Sequence, residues 1–286
     1  LMAVSGTVPT ELGDKKIRDL LMQYAVPAII AMTASSLYNM VDSIFIGHIK
    51  DVGSYAISGL AVTFPLMNIS TALGTLVGVG ASTILSMLLG QRNYQAANKV
   101  IINEVMLNVI IGTLYTVITL VFLDPILMFF GASANTLPYA RDYMVIILIG
   151  NVITHLYFGL NNIIRASGNP KLAMALTIFT VVSNTILDPI FIFWLDMGIK
   201  GAALATVICQ LLALVYTVRY FLSGKNYLRL PRRMSEYRLD WRIAKDSLTI
   251  GMGPFLMNSA ACIVTMFINQ QLSKYGGDLA IGAYGI

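Results

Sequence analysis

The sequence predicts an all-α, polytopic membrane protein: a six-helix transmembrane bundle, then a basic linker, then the first helix of a second bundle. Three observations carry that expectation. Hydrophobic residues make up 57% of the 286 residues and charged residues only 12%, about half the charge of a typical soluble domain. Seven apolar runs reach the roughly 20 residues that a helix needs to cross a bilayer. Period-two alternation over ten-residue segments is absent, which argues against a transmembrane β-barrel.

The seven spans are placed near residues 24–49, 56–90, 100–123, 142–164, 172–195, 201–222 and 248–272. Turn residues separate them: Gly90-Gln91-Arg92-Asn93, Gly131-Ala132-Ser133-Ala134-Asn135, Gly168-Asn169-Pro170 and Ser223-Gly224-Lys225-Asn226. Lys15, Lys16 and Arg18 precede the first run, but that run is too long for a cleavable signal and contains Asp42.

The net charge is +5. A basic soluble domain would raise the question of nucleic acid; here the basic residues sit between spans, so no nucleic-acid partner is expected. With a cytoplasmic amino terminus, fifteen of the 19 Lys and Arg fall on the cytoplasmic side. The exceptions are Lys50, Arg141, Lys200 and Lys274. The asymmetry predicts that orientation. The linker, residues 223–247, is rich in Arg, contains Pro231 and ends in an amphipathic stretch at 237–243. It reads as a segment lying on anionic headgroups.

Span 7 resembles span 1. Pro27 and Pro254 are 227 residues apart, as are Asp42 and Asn269, and Ala34 pairs with Ala261. Six spans separate the two, so a parallel repeat follows, with its axis along the membrane normal. Repeat logic predicts a second unit that this sequence opens without finishing, in a protein of about 450 residues. The domain organisation is then 1–222 for the first bundle, 223–247 for the linker and 248–286 for the start of the second.

Ionisable residues inside the spans are few: Asp42, Glu104, His155 and Asp188, with Arg219 near an end. A carboxylate at bilayer depth costs several kcal/mol and needs a reason. Asp188 ends the run Asn184-Thr185-Ile186-Leu187-Asp188 and precedes Pro189. Pro189 removes a backbone donor and frees the Thr185 carbonyl. Asn184 and Asp188 share a helix face. That set suits a small hard cation, or a proton held on a desolvated carboxyl. A carboxylate that only ties down a proline kink is the plain alternative. At 1.5 Å per residue, Asp42 and Asp188 lie about 10 Å, and Thr206 about 8 Å, from the outer face. The three share one layer.

Glu104 is expected to be an interfacial carboxylate near Lys99, and His155 a packing residue or a proton relay. Asn161 and Asn162 lie nearer the inner end of span 4, where they can line a cavity. Gly74 and Gly78, like Gly201 and Ala205, read as helix-packing positions. Cys209 and Cys262 read as inert buried thiols. No GxxxxGK[ST] loop, TVGYG filter, metal motif or Ser/His/Asp set is present. Neither an enzyme nor a cofactor is expected.

Together these residues resemble the multidrug and toxin extrusion (MATE) family, close to its bacterial MepA-like and DinF-like branches. The resemblance rests on Pro27, on Ser36 to Ser43 (SLYNMVDS), on Leu160 to Pro170 (LNNIIRASGNP), on Asn184 to Pro189 and on Gly198 to Ala203. It implies two six-helix bundles around a central cavity, in a multi-pass protein of the bacterial inner membrane, monomeric at full length. It implies efflux of small cationic aromatic drugs, coupled to H+ or Na+ by alternating access. Cation or proton binding would fall to Asp42, Asn184, Asp188 and Thr206, which would also be the ligands of a Na+ ion. Tyr38 and Asn161 would line the cavity, with Pro27 and Pro189 as hinges. Span 7 offers Asn269, Gln270 and Gln271, and no acid before Asp278. Two rival readings are a lipid-intermediate flippase of the same superfamily, for which a more cationic cavity is expected, and a membrane scaffold in which the two aspartates are neutral helix glue.

Overall fold

The computed structural model describes residues 16–49, 53–223, 227–231, 233 and 236–284, without the side chain of Asp278. Expectations placed on Lys15, Lys50, Lys225, Arg232, the turn at 224–226 and the Asp278 carboxylate lie outside the described residues.

Among the described residues the chain is helical, with no strand. The order is α1 (Ile17–Gly47), α2 (Gly53–Gly90), α3 (Tyr94–Val121), α4 (Leu123–Phe129), α5 (Leu137–Ile149), α6 (Asn151–Ala166), α7 (Pro170–Pro189), a π-helical turn (Ile190–Trp194), α8 (Ile199–Leu222) and α9 (Trp241–Tyr284). Six of these elements are long and apolar enough to cross a membrane, and α5 with α6 makes a seventh span bent by 56°. Large apolar side chains stay exposed along α1 and α9, such as Met32 and Met257. A bilayer or a second bundle can cover them.

The apolar run of span 4 does not show the bend at Gly150. A Cβ at Gly150 would stand 2.5 Å from Val207 Cγ2, so α8 presses on the break and only glycine fits there. The short helix α4 is likewise absent from the hydropathy pattern.

The end of α7 follows from Pro189. After it the chain widens, and Leu195 N–H donates to the Ile190 carbonyl at 2.9 Å, five residues back. Such π turns are rare and recur at functional sites. Gly201 lets α8 approach this turn, since a Cβ there would lie 2.7 Å from the Phe191 carbonyl group. Gly78 faces α6, where a Cβ would meet Asn162 Nδ2 at 2.9 Å and Gly159 Cα at 3.4 Å. The reading of Gly78 and Gly201 as packing positions agrees with this.

The helices pair α1 with α7, α2 with α3 and α6, α5 and α6 with α8, and α9 along α2. The last contact is intimate. A Cβ on Gly80 would overlap the Ser247 carbonyl, and one on Gly251 the Leu76 carbonyl. Asn269 Nδ2 donates to the Ala61 carbonyl at 3.4 Å, and Cys262 Sγ to the Pro65 carbonyl at 3.3 Å. Span 7 therefore lies against the first bundle. It bends at Gly277, where φ is +68°.

The linker differs from the expectation of a segment on headgroups. Its described part is docked on protein. Leu228 and Leu230 are buried in the apolar cluster that joins α2, α3, α6 and α8. Arg229 N–H donates to Asn98 Oδ1 at 2.7 Å, and Leu230 N–H to the Phe221 carbonyl at 3.3 Å. Tyr227 donates its hydroxyl to the Ser167 carbonyl. Asp240 N–H donates to Asn103 Oδ1 at 2.8 Å. Burial of two leucines, about 1.5–3 kcal/mol each when complete, outweighs lying on a charged surface. The amphipathic stretch is helical only from Trp241, where it runs without a break into span 7.

Candidate functional site

Helical spacing sets the residues of the Asp42 layer in pairs. Tyr38 and Asp42 are one turn apart on α1; Asn184 and Asp188 are one turn apart on α7. The α1–α7 packing brings the pairs together, and α8 adds Thr206. The Thr206 hydroxyl is the hub. It shares a hydrogen bond of 2.9 Å with the Tyr38 hydroxyl and accepts from Asn184 Nδ2 at 3.3 Å. Asp42 and Asp188 interact electrostatically with each other, and Tyr38 with both.

All of these polar groups except Tyr38 are buried; Asp188 is 0% exposed and Asp42 5%. Asp42 Oδ1, both oxygens of Asp188 and Asn184 Oδ1 have no hydrogen-bond partner among the described residues. No lysine, arginine or histidine among them acts on either aspartate. Two carboxylates and an amide oxygen in one layer, short of donors and without a cation, can hold a shared proton or bind a small monovalent cation. No cluster of three or more His, Cys, Asp or Glu occurs among the described residues, so a site of the zinc kind is not formed.

Tyr143 on α5 was not among the expected residues. It is 2% exposed and interacts electrostatically with both Asp42 and Asp188. Its place next to Arg141 and Asp142, at the predicted edge of a span, gave no sign of burial. Cys209 also lies in range of Asp188; both cysteines are buried and unpaired.

Asn161 is not brought to this layer. It donates Nδ2 to the Ala173 carbonyl at 3.1 Å and ties α6 to the first turns of α7. Pro27 lies buried inside an α1 that runs unbroken from Ile17 to Gly47, and Pro189 ends α7 at the π turn.

Glu104 overturns its expectation. It is 0% exposed, not interfacial. It accepts from Asn108 Nδ2 one turn along α3, and its Oε2 has no partner among the described residues. The opposite wall is Gly159 of α6, where a Cβ would overlap Oε1. The absent side chain admits the carboxyl into the helix–helix seam. Hydropathy could not show this, because the apolar run begins near residue 100 and sets Glu104 one turn inside the span, whereas α3 begins at Tyr94. His155 is buried too. Its Nε2 shares a 3.0 Å hydrogen bond with Ser70 Oγ, which donates to Asn151 Oδ1 at 2.6 Å.

The arrangement is a polytopic helical bundle in which buried carboxyls of α1 and α7 meet beside the π turn that ends α7. The family model described as MatE matches residues 27–190, and the chain belongs to this family, the MATE transporters. It is 32% identical over 273 residues to the multidrug export protein MepA of Staphylococcus haemolyticus, covering 96% of this chain and 59% of that protein. MepA of Staphylococcus aureus strain MSSA476 is 30% identical over 266 residues, covering 93% and 58%. Among solved structures, the MATE multidrug transporter DinF-BH in complex with R6G superposes with a TM-score of 0.90 at 35% identity, over 100% of this chain and 62% of that one. The chain thus spans about three-fifths of the length of these relatives.

Proposed function

We propose that the chain supplies the cation-binding bundle of a secondary active multidrug efflux transporter, which antiports cationic aromatic drugs against H+ or Na+ by alternating access. The observation that carries this is the buried layer of Asp42, Asn184, Asp188 and Thr206, in which Asp42 Oδ1 and both Asp188 oxygens lack hydrogen-bond partners and no Lys, Arg or His acts on either acid, among the described residues. The names of the relatives, exporters of drugs and a complex with R6G, support the substrate class.

The mechanism is electrostatic. In the ion-free state two acids face each other in a site of low dielectric, and their repulsion is large there. A proton or Na+ between them cancels it. Charge loss draws α1, carrying Tyr38 and Asp42, toward α7 and α8. Pro27 gives α1 a place to bend, and the π turn after Pro189 gives α7 another. A drug cation that needs an ionised carboxylate competes with the coupling ion, so each expels the other. The shift is limited by the difference in affinity between the two states.

In this reading the chain lies in the cytoplasmic membrane of a bacterium with its amino terminus inside, residues 1–222 form one bundle, and residues 248–286 begin its partner. The protein works as a monomer. The test is efflux of a fluorescent cationic dye from proteoliposomes of the intact protein, under an imposed pH or Na+ gradient. Gradient-dependent flux that D188N removes supports the antiporter, and the effective gradient names the ion. Equal flux in wild type and a folded D188N would show that Asp188 is structural.

A further inference from the structure

Glu104 is the least explained group in the bundle. It lies about 15 Å along α3 from the cytoplasmic end, at 1.5 Å per residue, and belongs to a different face from the Asp42 layer. Its surroundings form a column. Along α3, Glu104, Asn108 and Gly112 follow one another at intervals of one turn. Opposite, α6 presents Gly159 to Glu104 and Asn108, and His155 to Gly112. Glu104 Oε2, Asn108 Oδ1 and His155 Nδ1 all lack partners among the described residues.

The column has an opening. A cavity of about 80 Å³ between α2 and α6 is lined by Ser70, Gly74, Thr75, Thr154, His155 and Asn162. It is large and polar enough for a few waters, since one water takes about 30 Å³ and needs two or more polar partners. His155 stands between this cavity and the column.

No charged group among the described residues pairs with Glu104. Helix α2 carries no charged side chain. Its own helix offers Lys99, which is exposed; α6 offers His155, Tyr157 and Arg165; the start of α9 offers Asp240, Arg242, Lys245 and Asp246. At their outer ends, α4 and α5 offer Asp124, Tyr139, Arg141, Asp142 and Tyr143. None of these acts electrostatically on Glu104, whose only polar partner among the described residues is Asn108. A carboxylate without a counter-ion in such a place loses several kcal/mol of solvation. A neutral carboxyl does not, and it pairs with Asn108 in either orientation of the amide.

We infer that Glu104, Asn108 and His155 form a second proton-binding site, separate from the Asp42 layer, with the proton held on Glu104 and exchanged through His155 and the Ser70–Asn162 cavity. The ligand is H+ alone. The Gly159 gap fits a carboxyl pressed against a helix backbone and leaves no room for a coordinated metal. The site does not depend on which ion the Asp42 layer binds.

Infrared spectroscopy of the intact protein in lipid nanodiscs tests this. Carboxyl-¹³C glutamate labelling separates glutamate from the aspartates of the other layer. At neutral pH a labelled protonated-carboxyl band is expected, absent from E104Q. No such band, or one that E104Q leaves in place, overturns the site. If E104Q does not fold, N108L carries the test: loss of the amide must move the band to higher frequency, and an unmoved band overturns the pairing. The route has its own readout. H155F should keep the band but slow its exchange in D2O by roughly 10²-fold, the low end of what a positioned proton-transfer group supplies. Exchange at the wild-type rate overturns His155 as the gate.

Discussion

Asp188 lies where a helix is interrupted, with Asp42 facing it from an unbroken α1; Glu104 lies in a closely packed helix–helix seam. The first pair sits beside a π turn and a proline-ended helix, on two elements that each contain or end in proline. The lone acid sits in a seam walled by Gly159, in helices without an internal proline. All three carboxyls are buried. What differs is the backbone's freedom to follow a change of charge. A site that must move needs weak points next to its charges. A site that only stores a proton needs close packing and one hydrogen-bond partner.

The sharpest way to break this comparison is to neutralise each acid in turn. D42N or D188N should cut gradient-driven dye efflux by roughly 10²-fold, near the top of the range for a coupling energy. Unfolding temperature should stay the same or rise, because like charges in the interior are removed. A variant that keeps wild-type flux would put the pair on the same footing as Glu104.

Packing is the next largest effect. G159A forces a methyl group onto Glu104 Oε1 and should destabilise the bundle by about 1–3 kcal/mol, the usual cost of overpacking. G74A is the control on a neighbouring face. Its Cβ would meet His155 at 3.8 Å, ordinary contact, so its melting temperature should match wild type. Equal melting of the two variants would mean that the α3–α6 seam is looser than the Asp42 layer, reversing the contrast.

Hydropathy read the spans because a bilayer demands long apolar runs, and that demand is local to each helix. It missed the Gly150 bend because the contact there is with Val207, far away in sequence. It missed the docked linker for a similar reason: Leu228 and Leu230 stand among arginines and only tertiary contact buries them. The Asp42 layer was half legible. One-turn spacing on α7 gave Asn184 with Asp188, depth gave the layer of Asp42, Asp188 and Thr206, and the family resemblance gave Tyr38, but Tyr143 needs the α5 packing to enter it. Glu104 misled because distance from a predicted span edge says nothing about which face a helix turns inward.

Within the Asp42 layer the Tyr38–Thr206 hydrogen bond is a finer test. Y38F removes about 1 kcal/mol of net hydrogen bonding, which corresponds to a roughly fivefold change in the ion concentration at half-maximal flux. Maximal flux should persist, because neither carboxylate is touched. A loss of maximal flux instead would place Tyr38 in the moving machinery, not merely beside it.

The smallest effect belongs to the docked linker, outside the membrane. Burial pushes the Tyr227 phenol up to about 12 from an ordinary 10.0, partly opposed by the Ser167 side chain and assisted by the nearby phenols of Tyr220, Tyr24 and Tyr94. The folded state therefore keeps this proton at pH values where the unfolded chain has lost it. Below pH 10 the contribution is whole; between 10 and 12 it falls as pH rises, because the native state then binds more protons than the unfolded one. Thermal unfolding in detergent should show a decline over that window that is shallower in Y227F. The tyrosine is only half-buried, so solvent screens the effect and the difference should amount to a small shift in the slope. The same slope in both proteins would mean that the linker leaves Ser167 before the bundle melts, and that its docking contributes nothing to the unfolding that is measured.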